Sequence, residues 1–202
     1  MNMNKRAIRD SLRLMGAILF FWLYIPHLIC YIILGGGKRR LINSDLRAIE
    51  HQLNIRIPLH LQLLYQLHNN RYYRNVFYYR MGPVVDLLIG WWRPGDKYFW
   101  LPFSTKIGAA IGYAHPYSTV LNAESIGDNF TCIHCTTIGK KTTKRPVIGN
   151  NVSLGANVTI IGDVKIGNNV TVGAGTVVVK DIPDNAVVVG NPARILRYKE
   201  PK

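Results

Sequence analysis

The second half of the chain places a hydrophobic residue at every sixth position. The repeated residues are Ile148, Leu154, Ile160, Ile166, Val172 and Val178. A β-branched residue follows each of the first five by four positions, and these are Val152, Val158, Val164, Val170 and Thr176. Between the two rows stand pairs of Asn, Gly, Ala or Asp, which tolerate tight turns and positive φ. This short fixed period predicts a parallel β-helix in which six residues form one strand and one corner.

The same period extends towards the N-terminus with two interruptions. The earlier residues on the six-residue step are Ile107, Tyr113, Ile126, Cys132 and Ile138. Ten residues rather than six separate Ile138 from Ile148, so we expect residues 140–146 to form a loop outside the strands. Thirteen residues separate Tyr113 from Ile126, one more than two steps, which predicts one insertion near Thr119–Val120.

Three strands per turn of such a helix distribute the inward positions over three faces. One face is predicted to carry Tyr113, Cys132, Leu154 and Val172. The residues two positions later are His115, His134, Ala156 and Ala174. Because neighbouring strands lie ~4.8 Å apart, we expect these four residues to form one column, with two histidines above two alanines.

His115 and His134 are therefore the candidate catalytic residues. A histidine at a corner is more often a solvated surface residue, but His115 shares its column with small residues and precedes Pro116. For His134 the pattern leaves open a direct role or one of orienting His115. Cys132 and Cys135 flank His134 and suggest a metal, yet Cys132 points inward and no second ligand cluster follows. Since zinc needs four converging ligands, we predict no metal.

Several short stretches of this region are typical of one superfamily. They are HPYSTVLN at 115–122, IHCTTIG at 133–139, LGAN at 154–157, VGAGT at 172–176, KDIP at 180–183 and GNPAR at 190–194. Through them, residues 104–198 resemble the hexapeptide-repeat acyltransferases, in the branch of serine acetyltransferase-like and polysaccharide O-acetyltransferase proteins. The resemblance implies three left-handed β-helices packed as a homotrimer, with acetyl-CoA in a groove between neighbours.

The resemblance also implies roles for individual residues. It makes His115 the general base, and it places Ala156, Ala174, Val179, Lys180 and Arg194 along the acetyl-CoA path. The chemistry agrees, because acetyl transfer to a hydroxyl needs a base within hydrogen-bond reach, and a neutral imidazole can serve. The alanines leave room for the narrow pantetheine arm, and basic groups suit the nucleotide phosphates. We expect the acceptor to contact Asn122, Lys144 and Arg145.

Three departures from serine acetyltransferases bear on the acceptor. Trp100 stands where those enzymes carry an Asp, and Lys144-Arg145-Pro146 stands where they carry a second His. Their extended helical N-terminal domain is expected to be absent. A sugar hydroxyl is therefore the favoured acceptor. Serine O-acetyltransferase activity in cysteine biosynthesis is the alternative, and a non-catalytic scaffold is the alternative from another class.

The charge of the chain is strongly positive, at +14 over 202 residues. Residues 1–105 carry +9 of it and the loop at 140–146 carries +4. Such charge can indicate nucleic-acid binding, but no nucleic-acid motif is present, and a membrane explains the bias better. The three cysteines, an odd number, fit a reducing compartment.

The run Leu14–Leu34 contains 21 residues without a formal charge. A signal peptide is disfavoured because no small-residue cleavage site follows, and a straight span is disfavoured because Pro26 interrupts the helix. Four basic residues flank the run on each side, so the positive-inside rule gives no orientation. We therefore predict a bent, re-entrant hairpin at residues 14–34, with both ends in the cytosol.

The region behind this run should be helical. Ser44 can cap a helix that starts at Asp45, and Leu59–Leu67 is predicted to form a second helix. Arg71–Arg80 and Trp91–Arg93 interleave aromatic and basic residues, as expected at a bilayer surface. Ordinary helix packing against the β-helix is the alternative.

The sequence thus predicts a mainly β protein with four regions. These are a basic arm and membrane-associated segment at 1–43, a helical region at 44–103, a left-handed β-helix at 104–188 with the loop 140–146, and a C-terminal tail at 189–202. The predicted activity is acetyl-CoA-dependent O-acetylation of a cell-surface polysaccharide or its lipid-linked precursor. The predicted location is the cytoplasmic face of the inner (plasma) membrane, or the bacterial cytoplasm if the anchor is absent.

Overall fold

The computed structural model describes residues 5–33, 35–50, 53 and 55–200. It divides into a helical unit that ends at Asp96 and a β-helical unit that begins at Lys97. Residues 1–4, Leu34 and 201–202, which belong to the predicted basic arm, apolar run and tail, lie outside the described residues. The predicted fold class, a left-handed parallel β-helix preceded by helices, is confirmed.

The helical unit contains six α-helices and one 3₁₀ helix in its described part. They are α1 (Lys5–Leu19), the 3₁₀ helix (Phe21–Tyr24), α2 (Ile25–Ile33), α3 (Gly36–Ile49), α4 (Leu59–Asn69), α5 (Arg71–Met81) and α6 (Pro83–Ile89). Asn70 caps α5, since its Oδ1 accepts hydrogen bonds from the backbone N–H groups of Tyr72 and Tyr73 at 3.1 Å. Ser44 is no cap, because α3 runs through it and its hydroxyl donates to the Leu41 carbonyl at 2.7 Å.

Helix α5 lies in the core of the helical unit. Its buried residues are Tyr73, Val76, Phe77, Tyr78, Arg80 and Met81. Arg80 forms a bidentate ion pair with Asp45 of α3, at 2.8 Å from Nε and 3.1 Å from a terminal nitrogen, and both side chains are 2% exposed. The prediction that Arg71–Arg80 lies at a bilayer surface is therefore wrong. Of the two segments predicted to contact a bilayer, only Trp91–Arg93 has exposed tryptophans, Trp91 and Trp92.

The described part of the apolar run, residues 14–33, buries Ala17 and two polar residues. Tyr24 and His27 are fully buried, and the His27 ring lies 5.8 Å from Phe77 and 5.7 Å from Tyr78 between centroids. The run breaks after Leu19, whereas Pro26 lies in the first turn of α2, where its missing N–H is tolerated. The predicted break at Pro26 is thus misplaced, and embedding of the run in a membrane is not supported.

Within the part of the chain that the structure describes, no single helix combines the length and apolar composition needed to cross a bilayer. The segments Lys5–Leu19 and Phe21–Ile33 meet those criteria only as a pair, and they are bent by 72°.

His27 makes the stability of the helical unit depend on pH. The Tyr78 hydroxyl donates to the Arg93 carbonyl at 2.7 Å, so it accepts from His27 Nε2 at 2.7 Å, and His27 Nδ1 has no partner. Burial, aided by the charges of Arg74 and Arg93, lowers the pKa of His27 to about 4. An unfolded histidine titrates near ~6.5. The stabilising contribution is therefore complete above that pH and is lost as the pH falls towards 4.

We expect the unfolding free energy to fall by about 3 kcal/mol from this group between neutral pH and pH ~4. Denaturant unfolding followed by helical circular dichroism measures the effect, and His27→Gln should flatten that part of the profile. The exposed His60 supplies a matched control, because His60→Gln should leave the profile unchanged. A His27→Gln profile as steep as that of the unaltered chain would contradict the assignment.

The β-helical unit contains fifteen short strands between Lys97 and Glu200, its described part. They are β1 (Phe99–Trp100), β2 (Lys106–Ile107), β3 (Gly112–Ala114), β4 (Thr119–Leu121), β5 (Ser125–Ile126), β6 (Thr131–Ile133), β7 (Thr137–Gly139), β8 (Val147–Ile148), β9 (Ser153–Leu154), β10 (Thr159–Ile161), β11 (Lys165–Ile166), β12 (Thr171–Val172), β13 (Val177–Val178), β14 (Ala186–Val189) and β15 (Arg194–Tyr198). Sheet A has the order β1-β4-β7-β10-β13, sheet B β11-β8-β5-β2 and sheet C β15-β14-β12-β9-β6-β3. All described pairings are parallel except that of β14 with β15.

The predicted inward face is confirmed strand by strand. Tyr113 pairs with Cys132, Cys132 with Leu154, and Leu154 with Val172, all in sheet C. The β-helix nevertheless starts earlier than residue 104, because β1 pairs with β4. Within the predicted tail at 189–202, β15 forms a strand that ends at Tyr198 and returns antiparallel along β14.

A row of Asn and Asp side chains connects the coils where the chain passes from sheet B to sheet C. Asn150 Oδ1 accepts from the Asp128 N–H at 2.8 Å, Asn168 Oδ1 from the Asn150 N–H at 2.8 Å, and Asp184 Oδ1 from the Asn168 N–H at 2.7 Å. The residues that follow, Asn129, Asn151, Asn169 and Asn185, all have positive φ, a conformation that Asn adopts at low cost. The side chain of each coil thus satisfies the backbone of the coil before it.

Candidate active site

The predicted catalytic residues lie at the corners where the chain passes from sheet C to sheet A. His115 occupies the first of these corners with φ +48°, and its carbonyl accepts a hydrogen bond from the Tyr117 N–H at 2.8 Å. The histidine is exposed. A non-glycine residue in this conformation stores backbone strain, and the next corner has the same feature at Cys135 (φ +57°).

This corner contains two more residues than the corners stacked on it. The chain takes eight positions from Tyr113 to Leu121, while the paired residues Cys132 and Ile138 are six apart. It then takes only five positions from Leu121 to Ile126. The insertion predicted near Thr119–Val120 therefore lies earlier, within residues 115–118.

The extra residues change the predicted column. Backbone hydrogen bonds between successive corners run from Cys135 N–H to Tyr117 O (3.0 Å), from Asn157 N–H to His134 O (2.9 Å) and from Gly175 N–H to Ala156 O (2.9 Å). Tyr117, His134, Ala156 and Ala174 are therefore in register. His134 and the two alanines lie in the column as predicted, but His115 lies outside it because the corner bulges.

Tyr117 covers His134. The two rings pack edge to face with 5.1 Å between centroids, and the buried Nδ1 of His134 has no hydrogen-bond partner. A buried polar atom without a partner carries a desolvation cost. This atom is available to a hydroxyl or an amide placed at the corner.

Ala174 borders open space, while Ala156 is half-buried. A Cβ built on Gly175, next to Ala174, would meet no atom within 4 Å, and Ala174 itself is exposed. Arg194 begins β15 shortly after the final corner, where the Val177 N–H donates to the Gly190 carbonyl at 3.1 Å. The column of small residues thus leads from His134 towards a basic side chain.

The other predicted contact residues lie at the opposite edge of sheet A, the edge at which its strands end; the histidine corners lie at the edge at which its strands begin. Asn122, the loop residues Lys144 and Arg145, and the pair Val179–Lys180 all follow strands of this sheet. A three-residue strand spans ~10 Å. Within one chain, the length of a sheet A strand therefore separates these residues from the histidine corners. The predicted site residues therefore form two groups, one at each edge of sheet A.

The loop at 140–146 is held by its own β-helix. Arg145 donates to Glu124 at 2.8 Å and to the Ser104 hydroxyl at 2.8 Å, and Lys144 donates to Asp163 at 2.7 Å. The Lys144–Asp163 pair is exposed and contributes little to stability. Arg145, whose side chain is 18% exposed, is already engaged, so an acceptor would have to compete with Glu124 for it.

The sequence assigned no role to Tyr117, Tyr98 or Phe99, and it singled out Trp100 only as the residue in place of an Asp. Phe99 is buried against Tyr113, at 5.5 Å between ring centroids, so its neighbours Tyr98 and Trp100 point outward. Trp100, 53% exposed, pairs in β1 with Val120 of β4, the strand that the His115 corner enters. The alternation of exposed and buried aromatic residues at 98–100 was the available signal.

Cys132 lies in the core of the β-helix, where complete burial raises its thiol pKa to about 12. Such a thiol is neither a nucleophile nor a metal ligand at neutral pH. Among the residues the structure describes, no group of three or more His, Cys, Asp or Glu could hold a metal ion.

Comparison with known proteins identifies the repeat. Residues 145–180 match the family model for the bacterial transferase hexapeptide (six repeats). A putative colanic acid biosynthesis acetyltransferase, WcaB of Escherichia coli K12, is 50% identical over 100 residues, which are 48% of this chain and 62% of that protein. Serine acetyltransferase 2 of Arabidopsis thaliana is 39% identical over 102 residues, 48% of this chain and 32% of that protein. The matches thus span less than two thirds of these relatives.

Solved structures share the fold over a longer part of the chain. The soybean serine acetyltransferase apoenzyme gives a TM-score of 0.68 at 22% identity and covers 97% of this chain and all of its own. The Brucella abortus serine acetyltransferase in complex with coenzyme A gives 0.55 at 20% identity, over 79% of this chain and 68% of its own. The soybean match extends over the helical unit as well as the β-helical unit, at the level of fold.

Proposed function

We propose that this chain, which carries the hexapeptide repeat of bacterial transferases and is homologous to named acetyltransferases, is an acetyl-CoA-dependent O-acetyltransferase. The proposed acceptor is a hydroxyl of a cell-surface polysaccharide or of its lipid-linked precursor. The observation that carries the proposal is the 50% identity, over 100 residues, with a putative colanic acid biosynthesis acetyltransferase.

His115 is the proposed general base. Its Nε2 or Nδ1 accepts the proton of the acceptor hydroxyl as the oxygen attacks the thioester carbonyl carbon. The carbon–sulfur bond then breaks, and the proton returns to the leaving thiolate of coenzyme A. The strained corner holds the exposed imidazole apart from the column, and His134, with its free Nδ1 beneath Tyr117, is proposed to bind or orient the hydroxyl.

The proposed acetyl-CoA path follows the column of small residues. Ala156 and Ala174 leave space for the pantetheine arm, and Arg194 beyond them is placed for a phosphate. Lys180 and Val179 lie at the other edge of sheet A, so they reach the same molecule only from a neighbouring subunit.

A homotrimer is the proposed assembly for the same reason. The two groups of site residues lie at opposite edges of sheet A within one chain. Packing three copies side by side brings the edge with Asn122, Lys144, Arg145, Val179 and Lys180 of one copy to the histidine edge of the next. The loop at 140–146 would then help to enclose a shared cleft.

Ala174→Trp tests the proposed path. The indole should fill the open space beside Gly175 and weaken acetyl-CoA binding by at least about tenfold, as expected for a blocked slot. Isothermal titration calorimetry measures the affinity. Ala109→Trp places the same side chain at a corner between sheets B and C and should leave the affinity unchanged. Equal affinity in both variants would show that acetyl-CoA does not use this column.

The acceptor is proposed to be a sugar for a structural reason as well. Exposed Trp100 offers a flat apolar ring, which suits the face of a pyranose ring, whereas serine offers no such face. Serine O-acetyltransferase is the second candidate function, favoured by the identity with a plant serine acetyltransferase. A lipid-linked acceptor would locate the protein at the cytoplasmic face of the inner (plasma) membrane.

Thiol release from acetyl-CoA by the purified full-length protein separates these functions. We expect release with a membrane-extracted glycolipid fraction and little with L-serine. Thiol release with L-serine but not with the glycolipid fraction would establish the serine alternative. If neither acceptor caused thiol release, the transferase proposal would be contradicted. His115→Ala supplies the background rate.

A further inference from the structure

We propose that the exposed apolar face of the helical unit docks on the surface of an anionic lipid bilayer. The inference concerns the contact surface itself, and it extends the membrane location within the proposed function. The contact is interfacial, with the helices lying along the bilayer rather than inserted across it.

Helix α1 has three distinct sides. Asp10 and Ala17 face the core, while Ile8, Leu12, Met15 and Leu19 follow the i, i+4, i+7, i+11 spacing of one exposed stripe. Lys5, Arg9 and Arg13 are exposed beside that stripe. An apolar stripe bordered by basic residues is the pattern of helices that lie in the membrane interface.

The apolar face continues beyond α1 onto elements that pack against one another. Its members after α1 are Phe20, Phe21, Trp22, Ile25, Ile29, Ile32, Ile33, Val84, Leu87, Leu88 and Trp91, all exposed. Trp92 ties α6 to the 3₁₀ helix, because its indole N–H donates to the Leu23 carbonyl at 3.0 Å. Exposed apolar patches of this extent on a soluble surface indicate an interaction site.

The charge around this face selects the partner. From Lys5 to Ile49 the described residues include eight Lys or Arg and two Asp, and both acids, Asp10 and Asp45, are buried. Asp86 of α6 is half-buried. If two copies of the chain packed through this face, the exposed Lys and Arg residues that border it, its basic rim, would meet those of the other copy and repel them. Anionic headgroups instead complement the rim, while the apolar side chains enter the acyl boundary.

The lengths of the helices fit a surface contact. The fifteen residues of α1 span ~22 Å, short of the ~30 Å hydrocarbon core. The 72° bend after it turns the chain along a second direction. His27, buried against α5, and Tyr24, buried beside His68 of α4, keep polar groups of the run away from lipid.

Vesicle flotation of the full-length protein tests this surface. We expect binding to phosphatidylcholine vesicles that contain phosphatidylglycerol, weak binding to phosphatidylcholine alone, and loss of binding at high salt. Lys5→Gln/Arg9→Gln should lower the partition coefficient by about tenfold or more. Leu12→Glu/Leu87→Glu should abolish binding, and both positions are exposed (62% and 78%), so folding is preserved.

Leu196→Glu in β15 is the matched control, since this leucine is similarly exposed (64%) on the other unit, and it should bind as the unaltered chain does. Vesicle binding that survives Leu12→Glu/Leu87→Glu would overturn the proposal. So would an oligomer that these substitutions dissociate while no vesicle binding occurs, because the face would then join two copies. Acetyl transfer to a soluble acceptor should persist in the docking variants, so failure of the transferase chemistry and failure of docking are separate results.

Discussion

Replacement of His115 by alanine is expected to lower kcat by about 10²–10⁴-fold, the usual contribution of a general base. The exposed imidazole makes no packing contribution that the mutation could remove, so the fold should be retained. Acetyl-CoA affinity should change little, because His115 lies outside the column of small residues proposed for the pantetheine arm. Steady-state kinetics with the glycolipid acceptor and calorimetric titration of acetyl-CoA measure the two quantities.

Two further variants calibrate this result. His134→Ala should cost less than His115→Ala if His134 only orients the acceptor, and an equal loss would make it a full partner in proton transfer. His60→Ala, an exposed histidine of the helical unit, should have no effect on kcat. If His115→Ala retains more than about a tenth of the activity, the base is another group.

Replacement of Asp45 by alanine should have the largest effect on stability, a loss of about 3–5 kcal/mol in unfolding free energy. The substitution leaves the Arg80 guanidinium in the core of the helical unit, 2% exposed and without its carboxylate. Removal of one partner of a buried pair costs more than the pair contributes, because the remaining charge has lost its hydration. Denaturant unfolding of the full-length protein, followed by helical circular dichroism, measures the loss.

The pair can be separated from its packing by a second substitution. Asp45→Leu/Arg80→Met replaces both charges with apolar side chains and should recover most of the stability that Asp45→Ala loses. Lys144→Ala, which breaks the exposed pair with Asp163, should cost less than about 1 kcal/mol. A loss of that small size for Asp45→Ala would mean that water reaches Arg80.

The β-helix was predictable because its inward positions recur at a fixed step. Leu154 and Val172 must be apolar to fill a narrow core, so the pattern in sequence and the pairing in space carry the same information. The bulge at His115 was not predictable from spacing. Two residues are added before Leu121 and one is omitted after it, and the sequence reveals only the net difference between Tyr113 and Ile126.

The helical unit shows a different limit. An uncharged run of 21 residues has the composition of a membrane segment whether its apolar side chains face lipid or protein. His27 decides the matter, since its buried ring needs a hydrogen-bond partner, and Nε2 finds one in the Tyr78 hydroxyl. That partner lies 51 positions away, and no local pattern identifies it.

The row of Asn and Asp side chains between sheets B and C restricts how this fold can change in length. Each side chain accepts from the backbone of the preceding coil, so every coil ends with an acceptor for its predecessor and presents donors to its successor. One complete coil, such as the eighteen residues from Asn150 to Gly167 that precede Asn168, can be removed or duplicated with the row still continuous. A single strand and corner of six residues cannot be removed or duplicated in this way, because each later Asn or Asp would then lie at a corner between two other sheets. The β-helix can therefore change in length only by whole turns. Insertions within a turn are confined to corners outside the row, such as those that hold His115 and the loop at 140–146.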